Sequence, residues 1–416
     1  MRRIGFVESN LSGSGFDALR AARKLGLHVI FFNCGLDRYH AAAGGTEVLS
    51  TCVDEFVSCP THELAPLMAA VEQVNAREPL SALLSVAEYE VVPAAEAARL
   101  LGLPGPDPDG IRVARNKADQ RRRCAERGVP IPEFRAVTTA EEAARAAEEI
   151  GLPCVVKAAD ETSGFHVVRC ATMAEVIDGF RAIVSVPTNL RGQPRHREVL
   201  VEECLVGFEV SVEVLAAAGS VRVLGVTDKI VGGHNRFVEL GHTFPTALPD
   251  SVRDGLARAA VAAAQAVDFD LGIAHIELKY TADGPKLVEI NPRPAGGRIT
   301  ELMDRSLGVD TMELVVRQYL GEPVTVAGAG PARGAAIRYL TAEPGVVDTV
   351  TGVDVARLVP GVHEAVVYPG PGALVRPLRV NEDRIGHVLA TADDPYVAGR
   401  TAEAAAQQIV VSTRPE

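Results

Sequence analysis

The sequence predicts a mixed fold, an α/β unit with a parallel sheet over residues 1–110 followed by α+β units over 111–321 and 322–416. Three observations predict it. In the first 110 residues short apolar runs alternate with helix-like segments, the pattern of a parallel sheet. The stretch Gly102-Leu103-Pro104-Gly105-Pro106-Asp107-Pro108-Asp109-Gly110 cannot continue a helix or a central strand and marks a boundary. Beyond it, strands follow one another with little helix between them, which suits antiparallel pairing.

In the first unit the expected strands are Ile4 to Val7, His28 to Phe32 and Leu80 to Val86, with helices over Phe16 to Leu25 and Glu63 to Val74. Gly13-Ser14-Gly15-Phe16-Asp17-Ala18 follows the first strand and approximates a dinucleotide-binding turn, which would imply an oxidoreductase. The second strand, however, ends in Phe32-Asn33-Cys34 and offers no acid to a ribose. In the second unit the strands are expected at Cys154 to Lys157, Glu198 to Cys204, Glu209 to Ala216, Val221 to Thr227, Gly272 to Tyr280 and Lys286 to Ile290. Thr188 to Arg197, with three arginines, reads as a mobile, solvated loop. The last unit is expected to hold strands at Ala335 to Leu340, Ala365 to Val367 and Ala373 to Leu378, then a helix from Ala402 to Gln408.

Composition narrows the function classes. The 416 residues carry 42 basic against 54 acidic side chains, a formal charge of −12, without a basic patch for nucleic acid or an anionic membrane. The seven cysteines are scattered and never spaced Cys-x-x-Cys, which fits neither a disulfide framework nor a zinc site and suits a reducing cytoplasm. No apolar stretch reaches the length of a signal peptide or a membrane span.

Chemistry concentrates in Ile273-Ala-His-Ile-Glu277-Leu-Lys-Tyr-Thr-Ala-Asp-Gly-Pro-Lys-Leu-Val-Glu289-Ile-Asn291-Pro292-Arg293. Asp283-Gly284 between two alternating runs predicts a hairpin. Residues two apart share a strand face, so Glu289 and Asn291 point one way while Val288 and Ile290 point into a core. A three-residue loop, Ala282 to Gly284, would pair Thr281 with Pro285 and set Glu277 opposite Glu289. A one-residue slip would expose one strand's apolar set, so burial favours the odd loop. Two carboxylates and an amide oxygen then converge, all hard donors suited to magnesium, with room left for water and phosphate.

On these residues the chain resembles ATP-grasp enzymes from about residue 111 to 321, and within them carboxylate-amine ligases such as bacterial L-amino acid ligases. The resemblance implies an ATP-grasp fold with a Rossmann-like N-terminal domain, and ATP with Mg2+ (or Mn2+) as cofactors. It implies small-molecule carboxylate and amine substrates, and a homodimer. By the same resemblance Glu277, Glu289 and Asn291 bind the magnesium ions, and Arg293 holds the reacting carboxylate or acyl phosphate. Lys117, opening a helix after Asn116, and Lys157, closing an apolar strand, match the two phosphate-contacting lysines.

Ala158 to Val167 takes the place of a more glycine-rich phosphate loop. Gly164 is its one glycine, so Ser163 and His166 are candidates for phosphate contacts, with His166 equally readable as a solvated loop residue. Glu202, Glu203 and Leu205 form the adenine hinge by resemblance, Glu203 and Leu205 giving a carbonyl and an N–H to the base, and Glu209 receives the ribose hydroxyls. Gly296 and Gly297 would let the backbone approach a substrate carboxylate. His275 reads either as a substrate contact or as a structural histidine, and Glu88 is a candidate for a substrate ammonium. The rival within the superfamily is a biotin-carboxylase-like or purine-pathway enzyme.

Overall fold

The computed structural model describes residues 1–11, 13–162, 164–189, 191–233, 236–326 and 333–415. In the N-terminal segment, strands run parallel in the order Glu55–Ser58, His28–Asn33, Arg3–Val7, Ala82–Leu84. Glu55–Ser58 adds to the strands expected, and the Leu80 to Val86 run pairs only over Ala82–Leu84. Successive side chains point to opposite faces, so Ile4, Phe6 and Phe31 join Phe16 and Leu19 in one core, while Val7, Ile30 and Phe32 join Leu67 and Val71 in another. The proline-rich boundary ends in a helix, Pro108–Arg115, capped by Asp107 with its proline in the first turn, where a missing N–H costs nothing.

The next helix, Lys117–Glu126, is capped by Asn116, whose side chain accepts from the Ala118 and Asp119 N–H groups. It leads to a small antiparallel sheet in the order Phe134–Val137, Val199–Glu203, Cys154–Ala158, Val167–Cys170. The helices Ala140–Ile150 and Met173–Val184 cover one face through Ala143, Ala147, Val176 and Phe180. The opposite face looks into a cleft.

A larger sheet forms the other wall. Its order is Gly284–Asn291, Gly272–Thr281, Phe208–Ala217, Ser220–Gly232, Val238–Phe244, Gly334–Leu340, Gly386–Ala392, Val362–Val367. Along Phe208–Ala217, Val210, Val212 and Val214 pack on Leu256, Ala260 and Ala264 of the Asp250–Ala266 helix. Each such buried side chain contributes roughly 1.5–3 kcal/mol. Their neighbours Glu209, Ser211 and Glu213 turn to the cleft side. The segment beyond 322 supplies three of these strands, joined where Phe244 pairs with Ala335 and Gly241 with Arg338. It also builds a separate sheet, Leu374–Val375, Gly345–Thr351, Val410–Arg414, with the Pro395–Ala406 helix packed on the large sheet. The strand expected over Ala373 to Leu378 shortens to Leu374–Val375.

Two expectations are corrected. The hairpin turn holds two residues, Ala282 and Asp283, because Thr281 pairs with Gly284. The odd residue sits further along, in a bulge between Leu278↔Leu287 and Glu277↔Glu289 that leaves Val288 without a partner. Glu277 thus faces Glu289 as expected, but Leu287 replaces Val288 in the core and Val288 lines the cleft. The Thr188 to Arg197 stretch is also more than a solvated loop. Arg195 is 5% exposed and holds Glu161 at 2.6 Å, and Arg191 lines the cleft.

Candidate active site

A cleft of about 1500 Å3 lies between the two sheets, lined among others by Lys157 and Glu202 from one side and Glu209, Glu277 and Glu289 from the other. The Gly284–Asn291 strand is an edge of the large sheet. The Lys117–Glu126 helix covers it: Gln120 bonds both the N–H and the C=O of Ile290, and Arg121 donates to Val288 O at 2.6 Å. Glu289 and Asn291 are therefore fixed from both sides.

Lys117 is the first residue of its helix, where a positive charge opposes the helix dipole. Local anions compensate: its Nζ lies 2.8 Å from Glu289 Oε1 and donates to the carbonyl of Glu161. Lys157, next to last in its strand, has Nζ 2.7 Å from Glu202, and Arg121 Nε reaches the same carboxylate at 2.8 Å. Burial pulls Lys157 down to about 8 despite the nearby Glu202. Glu202 itself works against burial, with Arg121 and Lys157 holding it below its usual range. Glu202 is thus a buried counter-ion of Lys157 and Arg121.

The Glu203 N–H is given to Glu133 O at 2.8 Å and its side chain pairs with Lys286 at 3.0 Å, while Leu205 O accepts from Lys279. Glu209 faces the cleft with Lys229 2.9 Å away. His166 takes a left-handed φ of 55° and its carbonyl accepts from the Ala158 N–H. Gly164 and Val167 line the cleft, and the His166 side chain is not among the lining residues. Ser163 lies outside the described residues.

Arg293 donates through Nε to Glu88 and at 2.9 Å to Pro294 O, and Arg115 reaches Glu88 from the other side at 2.8 Å. Burial raises the Glu88 pKa, but Arg293 and Arg115 overrule it and keep the carboxylate charged. Two guanidinium groups occupy Glu88, which corrects its expected role as a receptor for an ammonium. His275 lines the cleft with both ring nitrogens engaged, Nδ1 2.8 Å from Glu213 and Nε2 3.1 Å from Glu277. Burial works against its charge, but Glu213 and Glu277 lift it to about 10, so it is an imidazolium that orients Glu277.

Gly296 and Gly297 line the cleft, with Gly297 at φ 57° and its carbonyl bonded by Tyr339 at 2.7 Å. A Cβ at Gly297 would stand 2.8 Å from His242 Nε2. Sequence reasoning missed Lys229, Glu239, His242, Glu161 and Tyr339. For Lys229 the only signal is a charged residue inside the strand run Val226-Thr227-Asp228-Lys229-Ile230.

The donors this site offers a divalent cation are carboxylate and amide oxygens. Among the described residues no three His, Cys, Asp or Glu side chains form a closed metal cluster. The set is instead two facing carboxylates, Glu277 and Glu289, with the amide of Asn291, buried and beside Glu289 on the strand. Burial would raise Glu277, but Lys229 and His275 hold it at about 2, so it is ionised. Hard oxygen donors that leave open positions fit magnesium carrying water and phosphate.

Comparison with known proteins gives the same picture. Family models match at residues 19–105 (ATP-grasp N-terminal domain), 150–301 (ATP-grasp domain) and 338–414 (L-amino acid ligase C-terminal domain 2). A protein of Sinorhizobium fredii known as uncharacterized protein y4rH is 30% identical over 417 residues, spanning 100% of this chain and 84% of its own length. The carbamoyl phosphate synthase large chain of Rubrobacter xylanophilus is 25% identical over 243 residues, 56% of this chain and 21% of that one. Among solved structures, the L-amino acid ligase from Bacillus licheniformis superposes with a TM-score of 0.82 at 21% identity, covering 100% of this chain and 99% of that one. Phosphoribosylglycinamide synthetase from Anaerococcus prevotii gives 0.73 at 15%, covering 99% and 100%. Among the described residues no helix is long and apolar enough to cross a membrane. The chain belongs to the ATP-grasp superfamily, and its last segment matches the L-amino acid ligase C-terminal model.

Proposed function

We propose that this enzyme joins an amino-acid carboxylate to an amine, that of a second amino acid, through an acyl phosphate, converting ATP to ADP and phosphate. The observation that carries it is the pairing of Glu277 with Glu289 across the hairpin, with Asn291 and Arg293 following on the same strand and loop. The L-amino acid ligase match over 338–414 favours an amino acid over bicarbonate or a nucleotide precursor, since that segment reaches the cleft through Tyr339 and His387.

In this reading the substrate carboxylate attacks the γ-phosphorus, ADP departs, and the amine then displaces phosphate from the acyl carbon and sheds a proton. Lys117 and Lys157 lie toward the phosphates as compact cations. Glu203 O and Leu205 N–H meet adenine, and Glu209 meets the ribose. Arg293, braced by Glu88, forks onto the carboxylate and stabilises the charge that grows on it. Magnesium, or manganese in its place, would sit on Glu277, Glu289 and Asn291 and offset phosphate charge. Closure of the cleft over the nucleotide would limit water, which would otherwise hydrolyse the acyl phosphate.

Phosphate release measured over pairs of amino acids tests this. ADP and phosphate should appear only when both partners are present, together with a peptide seen by mass spectrometry. AMP with pyrophosphate, or release driven by bicarbonate or a phosphoribosylamine instead, would overturn it.

A further inference from the structure

Lys229 sits in the Ser220–Gly232 strand, is 2% exposed in its side chain, and has no place in the assignments above. Its Nζ lies 2.9 Å from Glu209, 3.0 Å from Glu239 and 3.2 Å from Glu277. The three carboxylates come from three strands. Glu209 pairs across the ladder with Lys229, Glu277 lies one strand beyond, and Glu239 is set by a bulge opposite Ile230 and Val231 on the other side. One ammonium thus touches the ribose-facing carboxylate, a metal-facing carboxylate, and a carboxylate 3.5 Å from His242, the imidazole behind Gly297.

Both oxygens of Glu277 are taken, Oε1 by His275 and Oε2 by Lys229. A divalent cation on Glu277 brings two positive charges against both groups. His275 has no retreat, since Glu213 grips its other nitrogen from within the sheet. Lys229 has two further carboxylates to fall back on.

We propose that Lys229 is the resident cation of the metal site. It keeps Glu277 in place while the cleft is empty and withdraws toward Glu209 and Glu239 when a divalent cation arrives, so metal uptake is opposed by an internal ammonium and coupled to the ribose end. This rests on the metal assignment made above and adds the residue that sets how tightly the metal binds without nucleotide.

The test is Mn2+ binding to nucleotide-free protein, followed by electron paramagnetic resonance, with thermal melting in Mg2+ as a second readout. Lys229→Met should bind Mn2+ at least about tenfold more tightly than the unaltered protein, because three close carboxylates lose the ammonium they share. Its melting temperature should be low without metal and rise more steeply with Mg2+. Lys229→Arg keeps the charge and should bind Mn2+ no more tightly than the unaltered chain. If Lys229→Met does not fold, Lys229→Met with Glu239→Gln removes one carboxylate charge and must still show the tighter binding. Equal Mn2+ affinity in the unaltered chain and the methionine variant overturns the proposal. If Glu289→Gln also leaves Mn2+ binding of the unaltered chain unchanged, the metal assignment fails instead.

Discussion

The two walls of the cleft solve opposite electrostatic problems. On the small-sheet side Lys117, Lys157 and Arg121 have carboxylates matched to them, Glu289 for the first and Glu202 for the other two. On the large-sheet side the balance reverses, and Glu209, Glu213, Glu239 and Glu277 crowd around Lys229 and His275. One wall stores cations that a triphosphate can recruit. The other stores an excess of anions that a divalent cation can satisfy. On both walls each of these buried charges touches at least one of opposite sign, which avoids the large cost of isolated buried charge.

The comparison breaks most visibly at Glu289, where the walls meet. Glu289→Gln keeps the shape and removes one charge, so folding should stay near normal while turnover falls on the order of a hundredfold, about 3 kcal/mol of lost transition-state stabilisation. Steady-state kinetics beside a melting curve checks this; full activity at ordinary Mg2+ would contradict it. A smaller effect is expected at Glu88, which acts through Arg293. Glu88→Gln should lower kcat/KM for the carboxylate by about tenfold and leave the KM for ATP unchanged, the mark of a positioning role.

The smallest effect sharpens the comparison through pH. Burial holds Lys157 at about 8, against about 10.4 in the unfolded chain. Between those values the unfolded chain binds the extra proton, so this group's contribution to stability rises as pH climbs from about 8 to about 10. Nucleotide affinity runs the other way, because the ammonium is lost above about 8. ADP binding by calorimetry should weaken a few-fold, roughly, from about pH 7.5 to about pH 9, and Lys157→Arg should flatten that slope.

Local signals in the chain were enough for the hairpin, its facing carboxylates and Arg293, because alternation and a turn signal act over neighbouring residues. The odd residue was legible as a parity, but not its position: burial of Leu287 beside Ile290 demanded a bulge, and nothing local says whether the turn or the strand absorbs it. Lys229 was not legible because its partners Glu209, Glu239 and Glu277 meet only through strand order. The same holds for Arg195 and Glu161, whose pairing joins segments 34 positions apart in the chain. For Glu88 and Glu202, whether a buried carboxylate serves a ligand or a neighbouring cation depends on contacts across the fold.

The continuity of the large sheet bears on how the chain matures. As the polypeptide is made from its N-terminus, the Val238–Phe244 strand emerges long before its partner Gly334–Leu340, and in that interval its outer backbone groups are an open template for other nascent chains. Late synthesis of the last three strands therefore seals an adhesive margin as well as completing the wall that carries Tyr339 and His387.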